Sequence, residues 1–250
     1  MSACGHTLLF VIIIMEIIVL TKQVKFGDDV KCDFAGIEAA IRLKKKTDAH
    51  IHVFVMGEEK SGMAQVRDAI AMGADVGTVL AFKNGVDFDS WVCAKFFADH
   101  IKDKKFDIIL SGCFPVDADT IQTGLLTGNM LGLDTISHVE EIDEGSEKGH
   151  LTVKKRMEDR LQLIDIRVPC MLSALPHPEA PIYKTVSGIN RAYSSDIPVF
   201  SLDSSSQIGK IKVKDCFKVG ERKRGTCLTA VSTDTAVKTI IDKITAHHVL

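Results

Sequence analysis

The 250-residue sequence has little that would stack on a base: one Trp, two Tyr, and a formal charge of only −2. Without a basic surplus or an aromatic platform there is no electrostatic or stacking case for nucleic acid as a partner. Its seven cysteines (4, 32, 93, 113, 170, 216 and 227) contain no C-x-x-C pair. That spacing excludes a disulfide framework and a zinc site, and it fits reduced thiols in the cytoplasm. Neither GxxxxGK[ST] nor GxGxxG occurs, so two common phosphate-binding fingerprints are missing. His247 and His248 have no partner at metal-ligand spacing, and no Ser/His/Asp or Cys/His arrangement is visible. The sequence therefore nominates no catalytic residue and no metal ligand.

A long apolar run is nearly absent too. LLFVIIIMEIIVL has no basic residues before it and no small-residue cleavage site after it, which argues against a signal peptide. Glu16 interrupts it, and it falls short of the roughly 20 apolar residues a bilayer span needs. No membrane insertion is expected. The run reads instead as a buried first strand from Ile17, with residues 1–14 either a strand extension or a leader and Met15 a candidate start.

What is present is a core. Hydrophobic residues make up 46% of the chain and charged ones 26%, as in ordinary globular proteins. Apolar runs at 17–24, 50–57, 77–82 and 106–112 read as strands. Helical spacing marks 34–46, 63–75, 89–105 and 120–132. This alternation predicts βαβ units, hence an α/β domain with a mostly parallel sheet and helices on both faces. Beyond residue 135, SHVEEIDEG, GHLTVKKRMEDR and LQLIDIRVPCMLSAL read as antiparallel strands. From 176 the chain turns Pro-, Ser- and Gly-rich, which predicts an extended arm with one short helix, TVSGINRAY. An amphipathic helix from about Thr233 closes the sequence. The expected organisation is 1–14, a nucleotide-binding domain over 15–175, and an arm with its C-terminal helix over 176–250.

SGCFPVDADTIQTG (111–124) empties out of the fourth predicted strand, at the sheet edge where α/β domains bind ligands. Gly112 lets backbone approach a ligand, and amides opening the next helix favour an anion. Thr120, Gln122 and Thr123 add polar contacts. Asp117 and Asp119 would repel a phosphate directly, but either can cap the helix or hold a ribose hydroxyl. From these residues alone, a nucleotide cradle and a capped turn with no ligand stand level.

Six segments in order resemble the beta (small) subunit of electron transfer flavoproteins, including the nitrogen-fixation- and carnitine-associated relatives. They are VLTKQV (19–24), IEAAIRLKKK (37–46), VFVMG (53–57), DAIAMGAD (68–75), FDIILSG with VDADTIQTG (106–124) and VKKRMEDRLQLIDIRVPCMLS (153–173). Within the last, Lys155, Glu158, Asp159, Gln162, Ile164, Pro169, Met171, Leu172 and Ser173 match the family signature, whereas Arg160 does not. The resemblance implies a Rossmann-like, adenine-nucleotide-binding fold and a heterodimer. The alpha subunit would carry FAD, shielded by this chain, while this chain holds AMP or, in electron-bifurcating versions that use NADH, a second FAD. The chain itself would be an electron-carrying subunit with no bond-making catalysis.

Carried over residue by residue, the nucleotide contacts are Leu20, Val30, Lys31, Cys32, Asp33 and Met56. The loop adds Gly112, Cys113, Phe114, Pro115, Val116, Asp117, Ala118, Asp119, Thr120, Ile121, Gln122 and Thr123. Val186 and Ile189 fall in the family's partner-recognition loop, facing an acyl-CoA or other dehydrogenase. Besides Arg160, four features depart from the pattern. The segment before IEAAIRLKKK is shorter than in the family, Val30–Lys31 replaces an Asn-Pro pair, Arg156 stands where an acidic residue is common, and the Gln usual after the loop's first Gly is replaced near Phe114. A stand-alone adenine-nucleotide-binding regulatory protein of the same fold remains the alternative outside the flavoproteins.

Overall fold

The computed structural model describes residues 14–26, 29–32, 34–82, 89–113, 122–177, 181–202, 225, 227–229 and 231–246. The predicted alternation is there, with ends displaced by a few residues. In order come β1 (Met15–Phe26), β2 (Asp29–Cys32), α1 (Ala35–Lys46), β3 (Ala49–Gly57), α2 (Glu59–Met72), β4 (Val76–Phe82), α3 (Ser90–Ile101), β5 (Ile108–Gly112) and α4 (Gln122–Met130). Then follow β6 (Asp134–Glu144), β7 (His150–Arg156), β8 (Leu161–Arg167), β9 (Cys170–Ala174), α5 (Val186–Ser194), β10 (Val199–Leu202) and α6 (Thr233–Ala246). The choice between leader and strand extension lies outside the described residues.

Nine strands form one sheet in the order β10-β4-β3-β1-β5-β9-β6-β7-β8, and β2 folds back antiparallel on the end of β1. From β10 to β6 every pairing is parallel. Their apolar runs make sense on that ground: a strand covered on both faces needs apolar side chains on both. Ile17 and Val19 pack against Ile37 and Ile41 of α1 and Val66 and Ile70 of α2. Ile18 and Leu20, pointing the other way, pack with Phe54 against Val92, Phe96 and Phe97 of α3. Each such side chain contributes about 1.5–3 kcal/mol when fully buried. β6, β7 and β8 form an antiparallel flank, and β8 leaves Leu161 and Leu163 exposed.

Two readings need correction. The stretch 161–175 is not one antiparallel strand. Pro169 has no N–H to give the ladder, so β8 ends before it and β9 re-enters the sheet between β5 and β6, parallel to both. Part of the predicted arm is also regular structure: β10 adds to β4 as a parallel edge strand. Residues to Ile211 form one compact unit and Lys212–Leu250 a second. In the second unit α6 leaves Val237, Ile240 and Ile241 exposed at helical spacing.

Candidate functional site

The chain runs outward from β1 to β3 and β4, then crosses to the other side of β1 to make β5. Helices leave the sheet on opposite faces at that reversal, so a crevice opens beyond the carboxyl ends of β1 and β5. Three elements converge on it. α1 starts there, packed so tightly on β5 that a Cβ on Gly36 would lie 2.8 Å from the Ser111 carbonyl carbon and 3.1 Å from the Gly112 nitrogen. Phe34, at the N-cap of α1, makes no side-chain cap. α4 starts there too, with Gly124 pressed on Ser111: a Cβ would lie 2.3 Å from Ser111 Oγ. The hairpin of β1 and β2 rises from the same edge, with Gln23 opposite Cys32 and Phe26 opposite Asp29.

At this edge buried polar atoms lack partners. Ser111 Oγ and Thr123 Oγ1 are both buried without a hydrogen bond; Ser111 is the last residue but one of β5, and Thr123 sits in the first turn of α4. Neighbouring backbone is spoken for: Ser173 donates its hydroxyl to the Gly112 carbonyl at 3.1 Å, and the Cys113 N–H donates to Ala174 at 2.8 Å. Two buried hydroxyls left open at a sheet-switch crevice, between two helix N-termini, suit a ligand rich in hydrogen-bonding oxygens and nitrogens.

A model of the electron transfer flavoprotein domain matches residues 28–205, well over half of the chain. The chain belongs to the electron transfer flavoprotein domain family. It is 25% identical over 264 residues to the electron transfer flavoprotein subunit beta of Thermoanaerobacterium thermosaccharolyticum, covering 94% of this chain and all of that one. It is 29% identical over 171 residues to the same-named subunit of Clostridium acetobutylicum, covering 68% and 65% of the two chains. Against CarD, a subunit of the caffeyl-CoA reductase-Etf complex of Acetobacterium woodii, the identity is 28% over 208 residues, covering 75% and 78%.

Set in this family fold, the predicted nucleotide residues divide. Leu20 and Met56 end up on neighbouring strands with side chains buried against the α3 face, so a ligand would meet their strand ends and not their side chains. Val30, Lys31 and Cys32 lie in β2, over the end of β1. Gly112, Cys113, Gln122 and Thr123 frame the loop mouth, Cys113 buried, Thr123 half-buried and Gln122 exposed. Asp33 and Phe114 to Ile121 lie outside the described residues. Ser111 escaped the sequence reading because a Ser ending an apolar run looks like any strand end.

The predicted partner-recognition residues lie on α5. Val186 is 79% exposed, and Ile189, Tyr183 and Tyr193 are exposed as well. Val186 and Tyr193 are seven residues apart in α5, which places them along one side of the helix, and Tyr183 lies in the segment before it. Neither Tyr was singled out in the sequence, although the spacing of Val186 and Tyr193 was there to read. The helix itself is pinned: Thr185 Oγ1 accepts from the Gly188 N–H at 3.0 Å. Arg191 donates to the Ile70 and Ala74 carbonyls at 2.9 and 3.0 Å, closing the C-terminus of α2. Lys184 pairs with Asp68 at 2.6 Å, and Arg67 lies 4.9 Å over the Tyr193 ring.

A cavity of about 280 Å³ lies between α1 and β6, walled in part by Arg42, Glu140 and His177. Its charges are largely engaged in cross-element pairs, Glu140 with Arg156 at 2.7 Å and Lys46 with Asp143 at 2.5 Å. Among the described residues no His/Cys/Asp/Glu group is arranged to hold a metal ion. Burial pushes the Cys170 thiol up to about 12, helped by Asp134, so it is an inert core residue. No helix among the described residues is long and apolar enough to cross a membrane.

Proposed function

We propose that this chain is the beta subunit of a heterodimeric electron transfer flavoprotein that holds an adenine nucleotide in the crevice between β1 and β5. The observation that carries this reading is the pair of buried, unpartnered hydroxyls of Ser111 and Thr123 at the mouth of the loop, in a chain of this family. Both hydroxyls can donate and accept, as phosphate, ribose and base edges require. The amino ends of α1 and α4 add the positive potential that favours a phosphate. FAD held with the alpha subunit supplies the electron-carrying ring. This chain's part is to fix the geometry of the pair, exclude water and present α5 to a dehydrogenase, whose pocket would receive Val186 and Ile189.

Co-expression with an electron transfer flavoprotein alpha subunit, heat release and chromatographic counting test the reading. One FAD and one AMP per heterodimer is the expected result. Two FAD would select the electron-bifurcating reading, which the similarity to CarD favours over the stand-alone one. A monomer that binds AMP and never pairs would establish the stand-alone nucleotide-binding protein instead.

A further inference from the structure

Gln23 stands where β1 leaves the sheet: Lys22 still pairs with β3, and Gln23 already pairs with β2. Its side chain is buried, at 7% exposure. Oε1 accepts from the Glu58 backbone N–H at 2.9 Å and from the Ser61 hydroxyl at 3.0 Å. Both bonds serve the first turn of α2, whose N-cap residue Glu58 provides no side-chain cap. Gly57 is bare beneath the carboxamide, since a Cβ there would lie 1.9 Å from Oε1 and 2.2 Å from Cδ. Two converging donors settle which end of the carboxamide is oxygen. The Nε2 amide is therefore left as a buried donor with no acceptor. Buried donors in native folds almost always have a partner, so this one calls for an acceptor from outside the chain, a ligand atom or a water.

We propose that Gln23 is a nucleotide-selecting residue, donating from Nε2 to an acceptor of the adenine nucleotide, a phosphoryl oxygen or a ring nitrogen. The proposal rests on the nucleotide reading above. Because Oε1 is committed to α2, the amide cannot turn over to meet a donor, so it favours ligand atoms that accept. Gly57 and Ser61 are then part of the same device, the first making room and the second holding the orientation.

Isothermal titration of the full chain with AMP, adenosine and FAD tests it, using Gln23→Glu and Gln23→Met. Gln23→Glu keeps an oxygen for Glu58 and Ser61 but replaces the donor with a second acceptor. Gln23→Met removes both functions without adding charge. Both variants are expected to bind AMP at least tenfold more weakly than the wild type. A loss for AMP with adenosine unchanged puts the donor at the phosphate, and equal losses put it at the base or sugar. If Gln23→Met lowers the melting temperature of the nucleotide-free protein yet binds AMP like the wild type, Gln23 is a cap only and the proposal is overturned. Should Gln23→Glu fail to fold, Gln23→Met decides alone. A wild type that titrates none of the three ligands would remove the nucleotide reading itself, and Gln23's part with it.

Discussion

The two ends of the parallel sheet are built to opposite rules. At the amino end polar side chains are paired across elements. Asp107 accepts from the Glu16 N–H at 2.8 Å, and Glu16 in turn meets His50 at 3.0 Å. Asp75 accepts from the Ile51 N–H at 2.8 Å and from Lys44 at 2.5–2.6 Å, while His52 shares a bond of 2.8 Å with Thr78. At the carboxyl end, Ser111 Oγ, Thr123 Oγ1 and Gln23 Nε2 are buried and open. Satisfied polar groups lock a fold, and unsatisfied ones cost stability that a ligand can return. On the function proposed above, the amino end maintains the domain and the carboxyl end is the side that binds.

That contrast can be broken at either end. The largest effect is expected from Asp75→Ala, which takes an acceptor from both Lys44 and the Ile51 backbone. It should lower stability by about 2–3 kcal/mol, or roughly 5–10 °C in melting temperature, and leave nucleotide content untouched. A matching loss of nucleotide would show that the two ends are not independent. Ser111→Ala and Thr123→Ala should do the reverse. Nucleotide-free stability should stay within about 0.5 kcal/mol. Nucleotide affinity should fall by about 1–3 kcal/mol, a roughly 5- to 150-fold loss seen in retention after gel filtration. Full retention in both would reduce the loop to a structural turn.

A surface site on α5 gives a similar or smaller change. Val186→Ala with Ile189→Ala should slow flavin reduction by a cognate dehydrogenase at limiting concentration, by about 1–3 kcal/mol of docking energy. Cofactor content and heterodimer formation should not move; if the heterodimer is lost, α5 serves the subunit interface instead. The gentlest test is pH. Burial, with Lys104 and His50 nearby, lowers the His52 pKa to about 4 from its ordinary 6.5. The unfolded chain thus takes up this proton at higher pH than the folded one. Stability from His52 is complete above about pH 6.5 and drains away as pH falls towards 4. Urea midpoints against pH should show that slope in the wild type and a shallower one in His52→Asn.

Much of the fold could be read from the sequence because buried parallel strands announce themselves as apolar runs. IHVFVMG and GTVLAF needed no tertiary information. β9 was misplaced because CMLSA follows LQLIDIR with only Val168 and Pro169 between them, and apolar content does not tell which neighbour a strand will choose. β10 was missed because four residues with an exposed Phe200 carry no period. The site was half legible. The loop's place at a strand end followed from the alternation, and Gly112 and Thr123 stood out by type. Ser111 and Gln23 did not, because their significance lies in what they fail to bond, and only packing reveals that.

Helix α2 is held at both ends by side chains from elsewhere, Gln23 at its first turn and Arg191 at its last. Helix ends ordinarily fray and exchange their amide hydrogens fastest. Here the terminal turns should exchange nearly as slowly as the middle, so deuterium uptake along α2 should be flat. Uptake rising only in the last turn would then signal α5 lifting from its seat while the sheet edge stays closed, giving a readout of that one movement without an attached probe.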